Sequence, residues 1–547
     1  MNLSSQFAIY YAGDAYSTAN KIMGRQSAGK AFMKGVARSY PQGEVSGLGT
    51  YQNGSVEMAK QLQADGFKGQ LKWGVVPDWR VAAEVGTLYY PAPPAKDIAA
   101  ARNLTNAASF SMMGVTHTLS STGAMDQIAD LVLPPFCPWD ALICTSQAAK
   151  TLVSNLQSEM REYWRSTVGA TQFVDVQLPV IPLGVDVPGF EQAPHNKAEA
   201  RKALNLQSSE VTFLFAGRLS FHAKANPAPV YQALEKIAKE TPIVCIEAGV
   251  FPNEGIKQGY VAAQKALAPS VRFIWVDGNQ ALQYQQAWQA ADVFVSLSDN
   301  IQETFGLTPV EAMAAGLPVV VSDWNGYKDT VRDGLDGFRV PTILPPSPSG
   351  ADLALRLAMG LDTYDFYIGR TSLATVVDPE VLTQVLRQLA TQPALRAQMG
   401  SAGQERAKQV FDWPLIIARY SELAMELKEV RQKNLALQIS KSWPQRVDPF
   451  HRFSHFSSST LSGNWLVRAR SGAQTQLQTL LLLNMTNYAL HNELLKSESL
   501  QVLLHEVLTN GAQPVNKLLT KTQLATPMGV RALLWLWKFD VIQVESK

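Results

Sequence analysis

Cysteine is scarce in this 547-residue chain, which contains only Cys137, Cys144 and Cys245. Their spacing fits neither a zinc site nor a disulfide framework, and so few thiols are typical of a reducing compartment. Long apolar runs are also lacking, since no stretch approaches the roughly 18 apolar residues that a membrane-spanning helix needs. The N-terminus has neither the charged start nor the apolar core of a secretion signal. We therefore expect a cytoplasmic protein.

Charged residues are few and nearly balanced in sign. Lysine and arginine number 48, aspartate and glutamate number 46, and together they make up 17% of the chain. The formal net charge of +2 excludes a strong general attraction to nucleic acid or anionic lipid. A hydrophobic content of 46% indicates a globular protein with ample core. At roughly 150 residues per domain, the length suggests about three domains.

Short apolar segments alternate with helical patterns along most of the chain. Predicted strands in the first half are residues 6–11, 71–76, 110–116 and 141–146, with a basic helix at 24–39. Predicted strands in the second half are residues 211–216, 242–247, 271–276, 292–297 and 318–322. This alternation predicts an α/β fold with two doubly wound, Rossmann-like parallel sheets. We place the two domains at 1–188 and 189–435, and a mostly helical extension at 436–547.

Two carboxylates, Glu303 and Glu311, stand eight positions apart between two predicted strands. Ligands of open α/β sheets bind at the carboxyl ends of the strands, where helix N-termini present free N–H groups. We therefore expect Glu303 in that crevice, with the amides of residues 305–308 facing an anion.

The same segment also predicts a short helix. Thr308 is suited to cap it, Pro309 to occupy its first position, and Gly316 to end it. A purely structural alternative follows from this pattern. In a capping box, Glu311 would only return a hydrogen bond to the backbone of Thr308.

The run Glu303-Thr-Phe-Gly-Leu-Thr-Pro-Val-Glu311, followed by Ala-Met-Ala-Ala-Gly-Leu-Pro-Val-Val, resembles the E-x7-E element of retaining glycosyltransferases of family 4, also called group 1. These enzymes have the GT-B fold, in which two Rossmann-like domains face each other across a cleft. The resemblance implies that Glu303 meets the donor sugar and that Glu311 meets the ribose of its nucleotide. It also implies that Phe305, Gly306 and Leu307 line the donor site.

A second segment, Gly217-Arg218-Leu219-Ser-Phe-His222-Ala-Lys224, follows a predicted strand and resembles the G-R-L segment of the same family. The resemblance implies that Arg218 and Lys224 hold the donor diphosphate. Cations at this point would stabilise the charge that develops as the glycosidic bond breaks. Arginine offers a rigid fork for phosphate oxygens, and lysine a movable point charge. The structural alternative is a pair of solvated loop cations.

Histidine supplies two further candidates. The segment from Phe110 to Thr118 resembles the family's "HT/HD" segment at a strand end, which implies that His117 lines the cleft near the transferred sugar and the acceptor. His222, inside the phosphate segment, is a second candidate. The alternative for a lone histidine is a satisfied polar group without a catalytic role.

The stretch from Gly24 to Ala31 nearly spells a P-loop, but Ala31 stands where a hydroxyl should ligate magnesium, so we exclude an ATPase. In the resembling family the first loop commonly carries Gly-Gly close to the diphosphate. This implies a donor contact at Gly24, although Arg25 replaces the second glycine. Several basic residues could form a solvated helix face or face the acceptor or a lipid surface. These are Lys21, Arg25, Lys30, Lys34 and Arg38.

No D-x-D triplet occurs in the chain. Such aspartate pairs hold a metal–diphosphate complex in the other major glycosyltransferase architecture. The absence agrees with transfer that needs no metal ion and no cofactor, in which the nucleotide-sugar is a co-substrate and cations and helix N-termini supply the positive charge.

These resemblances imply a retaining hexosyltransferase that moves a sugar from a nucleotide-sugar to a sugar, lipid or small-molecule acceptor. A sugar phosphorylase on the same fold remains an alternative, and a nucleotide-sugar epimerase fits the motifs poorly. The third alternative is a non-catalytic scaffold that acts through its C-terminal extension.

The resemblance departs from the family pattern near Tyr364 and stops near Ser440. The family also implies that a helix opening at Phe411-Asp-Trp413 crosses back to the first domain. The last residues look weakly like a winged-helix module, for which we expect packing or partner binding and not DNA binding. Contact with a membrane surface is an alternative that the sequence leaves open.

Overall fold

The computed structural model describes residues 4–16, 24–191, 197–437, 439–488 and 495–545. The chain divides into two compact units, residues 1–443 and 444–547. The first unit contains two parallel six-stranded sheets, one in each half. This confirms the predicted pair of Rossmann-like folds. None of the helices in the described ranges is long and apolar enough to cross a membrane.

The first sheet has short strands that are mostly buried, as expected when helices cover both faces of a parallel sheet. Its strands are β1 Ala8–Tyr10, β2 Glu44–Gly49, β3 Gln70–Val75, β4 Thr87–Tyr90, β5 Ser111–Val115 and β6 Ala141–Ile143. Their order across the sheet is β3-β2-β1-β4-β5-β6. The helices are α1 Gly24–Ser39, α2 Gly54–Ala64, α3 Arg80–Val85, α4 Lys96–Thr105, α5 Thr122–Asp130 and α6 Gln147–Val168. All four predicted strands are present, and β2 and β4 are additional.

Two short helices, α7 Val187–Glu191 and α8 Lys197–Ala203, lead to the second sheet. Its strands are β7 Val211–Ala216, β8 Ile243–Gly249, β9 Arg272–Asp277, β10 Val293–Ser296, β11 Val319–Ser322 and β12 Gly337–Val340. Their order is β12-β11-β10-β7-β8-β9. The helices between them are α9 Ala228–Ala238, α10 Glu254–Leu267, α11 Ala281–Ala290, α12 Leu307–Ala314 and α13 Tyr327–Thr330. The five predicted strands are confirmed, and β12 is additional.

A helical hairpin follows the second sheet. The short strands β13 Thr342–Ile343 and β14 Val376–Val377 pair antiparallel and so close its base. Between them lie α14 Ala351–Ala358 and α15 Tyr364–Leu373, which contact each other. The departure from the family pattern near Tyr364 falls in this helix pair, which we call the insertion.

The last helices of the first unit are α16 Pro379–Thr391, α17 Pro393–Arg406 and α18 Trp413–Lys433. Helix α18 returns to the first half and packs against α1. The Trp413 ring lies 5.6 Å from that of Phe32, edge to face. At the other end, Arg431 donates to the Gly86 carbonyl and to the Ser111 hydroxyl, 2.7 Å away. The helix predicted to open near Phe411 thus joins the two halves.

The second unit, residues 444–547, has its own apolar core. Its strand β15 Leu466–Ala469 pairs antiparallel with β16 Gln513–Pro514 and β17 Ile542–Glu545. Its helices are α19 Pro449–Arg452, α20 Ala473–Leu482, α21 Asn484–Asn487, α22 Ser497–Asn510, α23 Val515–Lys521 and α24 Pro527–Lys538. The elements from α22 to β17 follow one another as helix, strand, helix, helix and strand. In α24 the residues Ala532, Leu533 and Leu536 are buried in the core.

Candidate active site

The second sheet brings the predicted cations and the first predicted carboxylate together. Strands β7 and β10 are parallel neighbours, so their carboxyl ends meet at one edge. Arg218 and Lys224 lie on the loop after β7, and Glu303 lies on the loop after β10. All three side chains are partly buried. This edge of the sheet is the candidate site.

Lys224 and Glu303 form a direct ion pair, in which the ammonium group donates to Oε2 of the carboxylate. The exposed fraction is 21% for the Lys224 side chain and 14% for that of Glu303. Burial alone would raise the pKa of Glu303, but the charge and hydrogen bond of Lys224 hold that pKa below its ordinary value. Burial opposes the charge of Lys224 as well, yet Glu303 raises its pKa. Both groups are therefore ionised at neutral pH.

The second oxygen of Glu303 faces its own loop. The backbone N–H of Thr304 lies 3.3 Å from Oε1, and that of Phe305 lies 3.5 Å from it. We had expected amides of residues 305–308 to face an external anion. At Phe305 the amide instead points toward the Glu303 carboxylate, which it helps to keep charged.

Arg218 is held from two sides. Its guanidinium donates to the Ala223 carbonyl at 3.0 Å and lies 3.4 Å from Oε1 of Gln302. Within the phosphate segment, the His222 carbonyl accepts from the Asn300 amide at 2.7 Å. The loops after β7 and β10 are therefore joined at several points, so the cation and the carboxylate are placed by one rigid loop pair.

Helix α12 begins differently from the prediction. Its N-cap is Gly306, with a φ of 91°, and the helix starts at Leu307. A Cβ on Gly306 would lie 2.0 Å from the Tyr327 ring, so only glycine fits there. The prediction that Thr308 caps the helix is wrong, because the helix has already begun. The Thr308 hydroxyl is buried without a hydrogen-bond partner.

Glu311 lies one turn further along α12 and is partly buried. No hydrogen bond joins it to Thr308 in the described part of the chain, so the capping-box alternative is not realised. Burial raises the pKa of Glu311 to about 7, against the smaller opposite effect of Lys224. The Glu311 carboxyl group also raises the pKa of Tyr284 on α11, after the larger effect of burial, so the two side chains lie near each other. A carboxyl group of this kind can donate as well as accept a hydrogen bond.

The first half faces this site through the loops that follow β5 and β6. His117 lies on the loop after β5 and is partly buried. Further along that loop, the Ser120 hydroxyl lies 2.7 Å from the Tyr364 hydroxyl on α15. After β6, Ser146 donates to the Thr304 carbonyl at 2.8 Å, next to Glu303. Hydrogen bonds from both of these loops thus bridge the cleft between the two halves.

The remaining predicted residues lie on or near α1. Gly24 is its first residue, and Lys21 lies outside the described residues. Lys34 contacts Asp186 at 2.6 Å, and Arg38 binds both Asp186 at 3.2 Å and Asp412 at 2.9 Å. These two cations therefore hold α1 to the segments that connect the halves. Lys30 is exposed.

Several residues of the site were not singled out from the sequence. Tyr327 is fully buried, its hydroxyl lies 2.9 Å from that of Ser296 at the end of β10, and its ring contacts Gly306. Its position shortly after a predicted strand was a usable signal. Ser146 carried none, and Tyr364 was marked only as the place where the chain departs from the family pattern. In the described residues, no three His, Cys, Asp or Glu side chains converge as a potential metal site.

Residues 196–345 match the family model described as "Glycosyl transferases group 1". This span contains the predicted donor-site residues Arg218, Lys224, Glu303 and Glu311. This part of the chain is therefore similar to group 1 glycosyltransferases. The predicted resemblance to this family is therefore confirmed over the span that forms the site.

Parts of the chain are also similar to curated proteins. The chain is 30% identical to the D-inositol 3-phosphate glycosyltransferase of Streptomyces avermitilis over 277 residues, which are 49% of this chain and 49% of the relative. It is 32% identical to the phosphatidyl-myo-inositol mannosyltransferase of Mycobacterium tuberculosis over 176 residues, 32% of this chain and 42% of the relative. The chain thus spans about half, or less, of the length of these relatives.

Among solved structures, Anabaena Alr3699/HepE in complex with UDP aligns with a TM-score of 0.49 and 17% identity, over 77% of this chain and 99% of that one.

Proposed function

We propose that this chain is a retaining glycosyltransferase that moves a hexosyl group from a nucleotide-sugar to an acceptor hydroxyl without a metal ion. The observation that carries the proposal is the arrangement of Arg218, Lys224 and Glu303 at the carboxyl edge of the second sheet, inside the span that is similar to group 1 glycosyltransferases. The donor nucleotide would lie on the second half, with the first half closing over the sugar.

The charges suit a nucleoside diphosphate leaving group. Arg218 and Lys224 come from one loop, and Lys224 remains protonated beside Glu303. Two cations in a partly buried site stabilise developing phosphate charge more strongly than they would in water. A donor diphosphate would draw Lys224 partly away from Glu303 and leave the carboxylate free to bind hydroxyls of the sugar.

Glu311 suits the ribose. Its carboxyl group has a pKa of about 7, so it can both donate to and accept from the two ribose hydroxyls. The buried Thr308 hydroxyl lies three residues earlier on α12, without a hydrogen-bond partner. The first turn of α12 thus holds a polar group that the protein itself does not satisfy.

We identify no covalent nucleophile among the described residues of the site, and the family resemblance implies transfer on one face of the sugar. The bond between the anomeric carbon and the diphosphate oxygen breaks, and the diphosphate leaves with the electron pair. The acceptor oxygen bonds to that carbon from the same face, and its proton passes to the departing phosphate oxygen. His117, on the facing loop, would contact the sugar or acceptor. Closure of the halves would exclude water, which otherwise competes as the acceptor.

The test begins with thermal shifts in the presence of uridine-, guanosine- and adenosine-diphosphate sugars, because a ligand that binds the native state raises its apparent stability. The donor that binds is then incubated with the protein, and release of the nucleoside diphosphate is measured. Arg218→Ala should abolish the release, while Arg387→Ala, which removes an exposed cation paired with Glu240, should not change it.

A separate incubation with sugar 1-phosphates and inorganic phosphate would identify a phosphorylase. The proposal is wrong if no nucleotide-sugar binds, or if Arg218→Ala releases nucleoside diphosphate at the rate of the unaltered protein.

A further inference from the structure

The insertion, α14–α15, lies against the phosphate segment of the candidate site. A Cβ on Gly369 would lie 3.1 Å from Cβ of His222, so α15 packs closely on that loop. Asp365 on α15 stands 3.9 Å from His222 Nε2. The buried Asp299, on the loop after β10, lies close to Ser372 of the same helix. One face of the insertion is thus fitted to the loops that carry Arg218 and Glu303.

Tyr364, the first residue of α15, reaches across the cleft. Its hydroxyl lies 2.7 Å from that of Ser120, on the loop of the first half that also carries His117. Burial raises the pKa of Tyr364, and the charge of Arg218 acts in the opposite direction, so the phenol lies within electrostatic reach of that guanidinium. The Tyr364 side chain therefore lies where the donor-side cation and the acceptor-side loop approach each other.

We propose that Tyr364 is a positioning residue that holds the cleft closed over the donor, through its hydrogen bond to Ser120. The inference rests on the proposed function, because it assigns the closed cleft to nucleotide-sugar binding. The hydrogen bond can form only when the two halves are close together, so it favours the closed arrangement. If the donor binds only the closed arrangement, the factor by which the hydrogen bond favours closure also increases the affinity for the donor.

The rest of the insertion does not need this hydrogen bond for its attachment. Helix α15 is held to the second half by its buried residues Ile368, Gly369 and Ser372. Helix α14 has no buried residue and so adds nothing to the core. Loss of the Tyr364 hydroxyl should therefore leave the insertion folded, while it removes one link between the halves.

The experiment measures the dissociation constants of UDP, GDP and ADP for the full chain and for Tyr364→Phe, Ser120→Ala and the double variant. One net hydrogen bond corresponds to about a fivefold change in an equilibrium constant. We expect each single variant to bind its nucleotide about fivefold more weakly than the unaltered chain does. The double variant should bind it as weakly as a single variant, because both substitutions remove the same hydrogen bond. Ser120 lies in the half opposite the donor residues. A weaker affinity of Ser120→Ala would therefore report loss of the hydrogen bond to Tyr364 and not loss of a nucleotide contact.

Tyr367→Phe is the matched control. It removes a phenol from the same helix, and no hydrogen bond of this side chain is found in the described part of the chain. It should bind nucleotide as the unaltered protein does. Amide hydrogen exchange without nucleotide supplies a second measurement. Tyr364→Phe should speed exchange in the loop at residues 116–121, and Tyr367→Phe should not.

The outcomes separate the two claims. If no nucleoside diphosphate binds the unaltered chain, the proposed function fails, and hydrogen exchange still decides whether the bridge exists. If a nucleotide binds but Tyr364→Phe and Ser120→Ala bind it unchanged, the bridge has no positioning role. Strictly additive losses in the double variant would also overturn it, because they would show two independent effects.

Discussion

Lys224 and Glu303 form an ion pair at the carboxyl edge of the second sheet, and they lie 79 residues apart in the chain. The pair is largely buried, and each partner keeps the other ionised. Because a buried charge that loses its partner is strongly disfavoured, the pair constrains both loops. The pair also keeps a carboxylate and an ammonium group at the position where the proposed donor would bind.

Glu303→Gln should nearly abolish donor turnover, because it removes the charge that orients the sugar and leaves Lys224 without a counter-charge. We expect a loss of about 100-fold or more in the rate of nucleoside diphosphate release. Glu254→Gln, at an exposed glutamate, is the control and should keep the full rate. A Glu303→Gln rate within about threefold of the unaltered protein would remove Glu303 from the mechanism.

Glu311→Gln should change how stability depends on pH. The carboxyl pKa is raised to about 7 in the fold and returns to the ordinary value of 4.5 on unfolding. Between these values the native state holds a proton that the unfolded state has lost, so the contribution of Glu311 to stability falls as the pH rises. Relative to the unaltered protein, Glu311→Gln should therefore gain melting temperature between about pH 5 and pH 8. A constant difference across that range, measured by calorimetry, would contradict the raised pKa.

Gly306→Ala should destabilise the protein and damage the site, because the new Cβ would lie 2.0 Å from the Tyr327 ring. Gly334→Ala is the control, since Gly334 also has a positive φ, 75°, but nothing lies within 4 Å of its Cβ position. Both variants should lose about 1 kcal/mol from backbone strain. Only Gly306→Ala should lose several times more, with donor binding reduced as well. Equal losses in urea unfolding would show that the Tyr327 contact costs nothing.

Ser146→Ala should weaken donor binding, although Ser146 belongs to the first half. Its hydroxyl caps α6 by accepting from the Ala149 N–H at 3.1 Å, and it donates to the Thr304 carbonyl at 2.8 Å. Ser121 caps α5 in the same way, from the Ala124 N–H at 3.3 Å. Both alanine variants should lose about 1 kcal/mol of stability. Titration with the nucleotide that binds should show weaker affinity for Ser146→Ala alone, and equal affinities would exclude a role for the Thr304 contact.

The positions of most strands followed from the sequence because parallel strands that are buried on both faces read as short apolar runs. The strands that were missed have a physical reason in common. Strand β2 has the sequence Glu-Val-Ser-Gly-Leu-Gly, whose glycines weaken the pattern, while β4 and β12 are only four residues long. Such segments become strands because neighbours pair with them, and their own composition does not indicate it.

The pairing of Lys224 with Glu303 agrees with what the strand-end rule suggests, because both loops leave the carboxyl edge of one sheet. The predicted start of α12 is wrong by two residues, because the left-handed Gly306 begins the helix before Thr308 can cap it. The contacts of Ser120 with Tyr364 and of Ser146 with Thr304 could not be predicted. They depend on how two separately folded sheets meet, and no local pattern encodes that meeting.

Helix α18 gives the first unit a topology that limits how it can be divided. The helix follows the second sheet in the chain, yet its side chains contact the first half. Trp413 packs on Phe32, and Arg431 donates a hydrogen bond to the carbonyl of Gly86. A fragment that ended at the boundary between the halves would expose the apolar face of α1 that α18 covers. A shortened protein for crystallisation or binding studies must therefore extend at least through Lys433, and the two halves should be produced as one polypeptide.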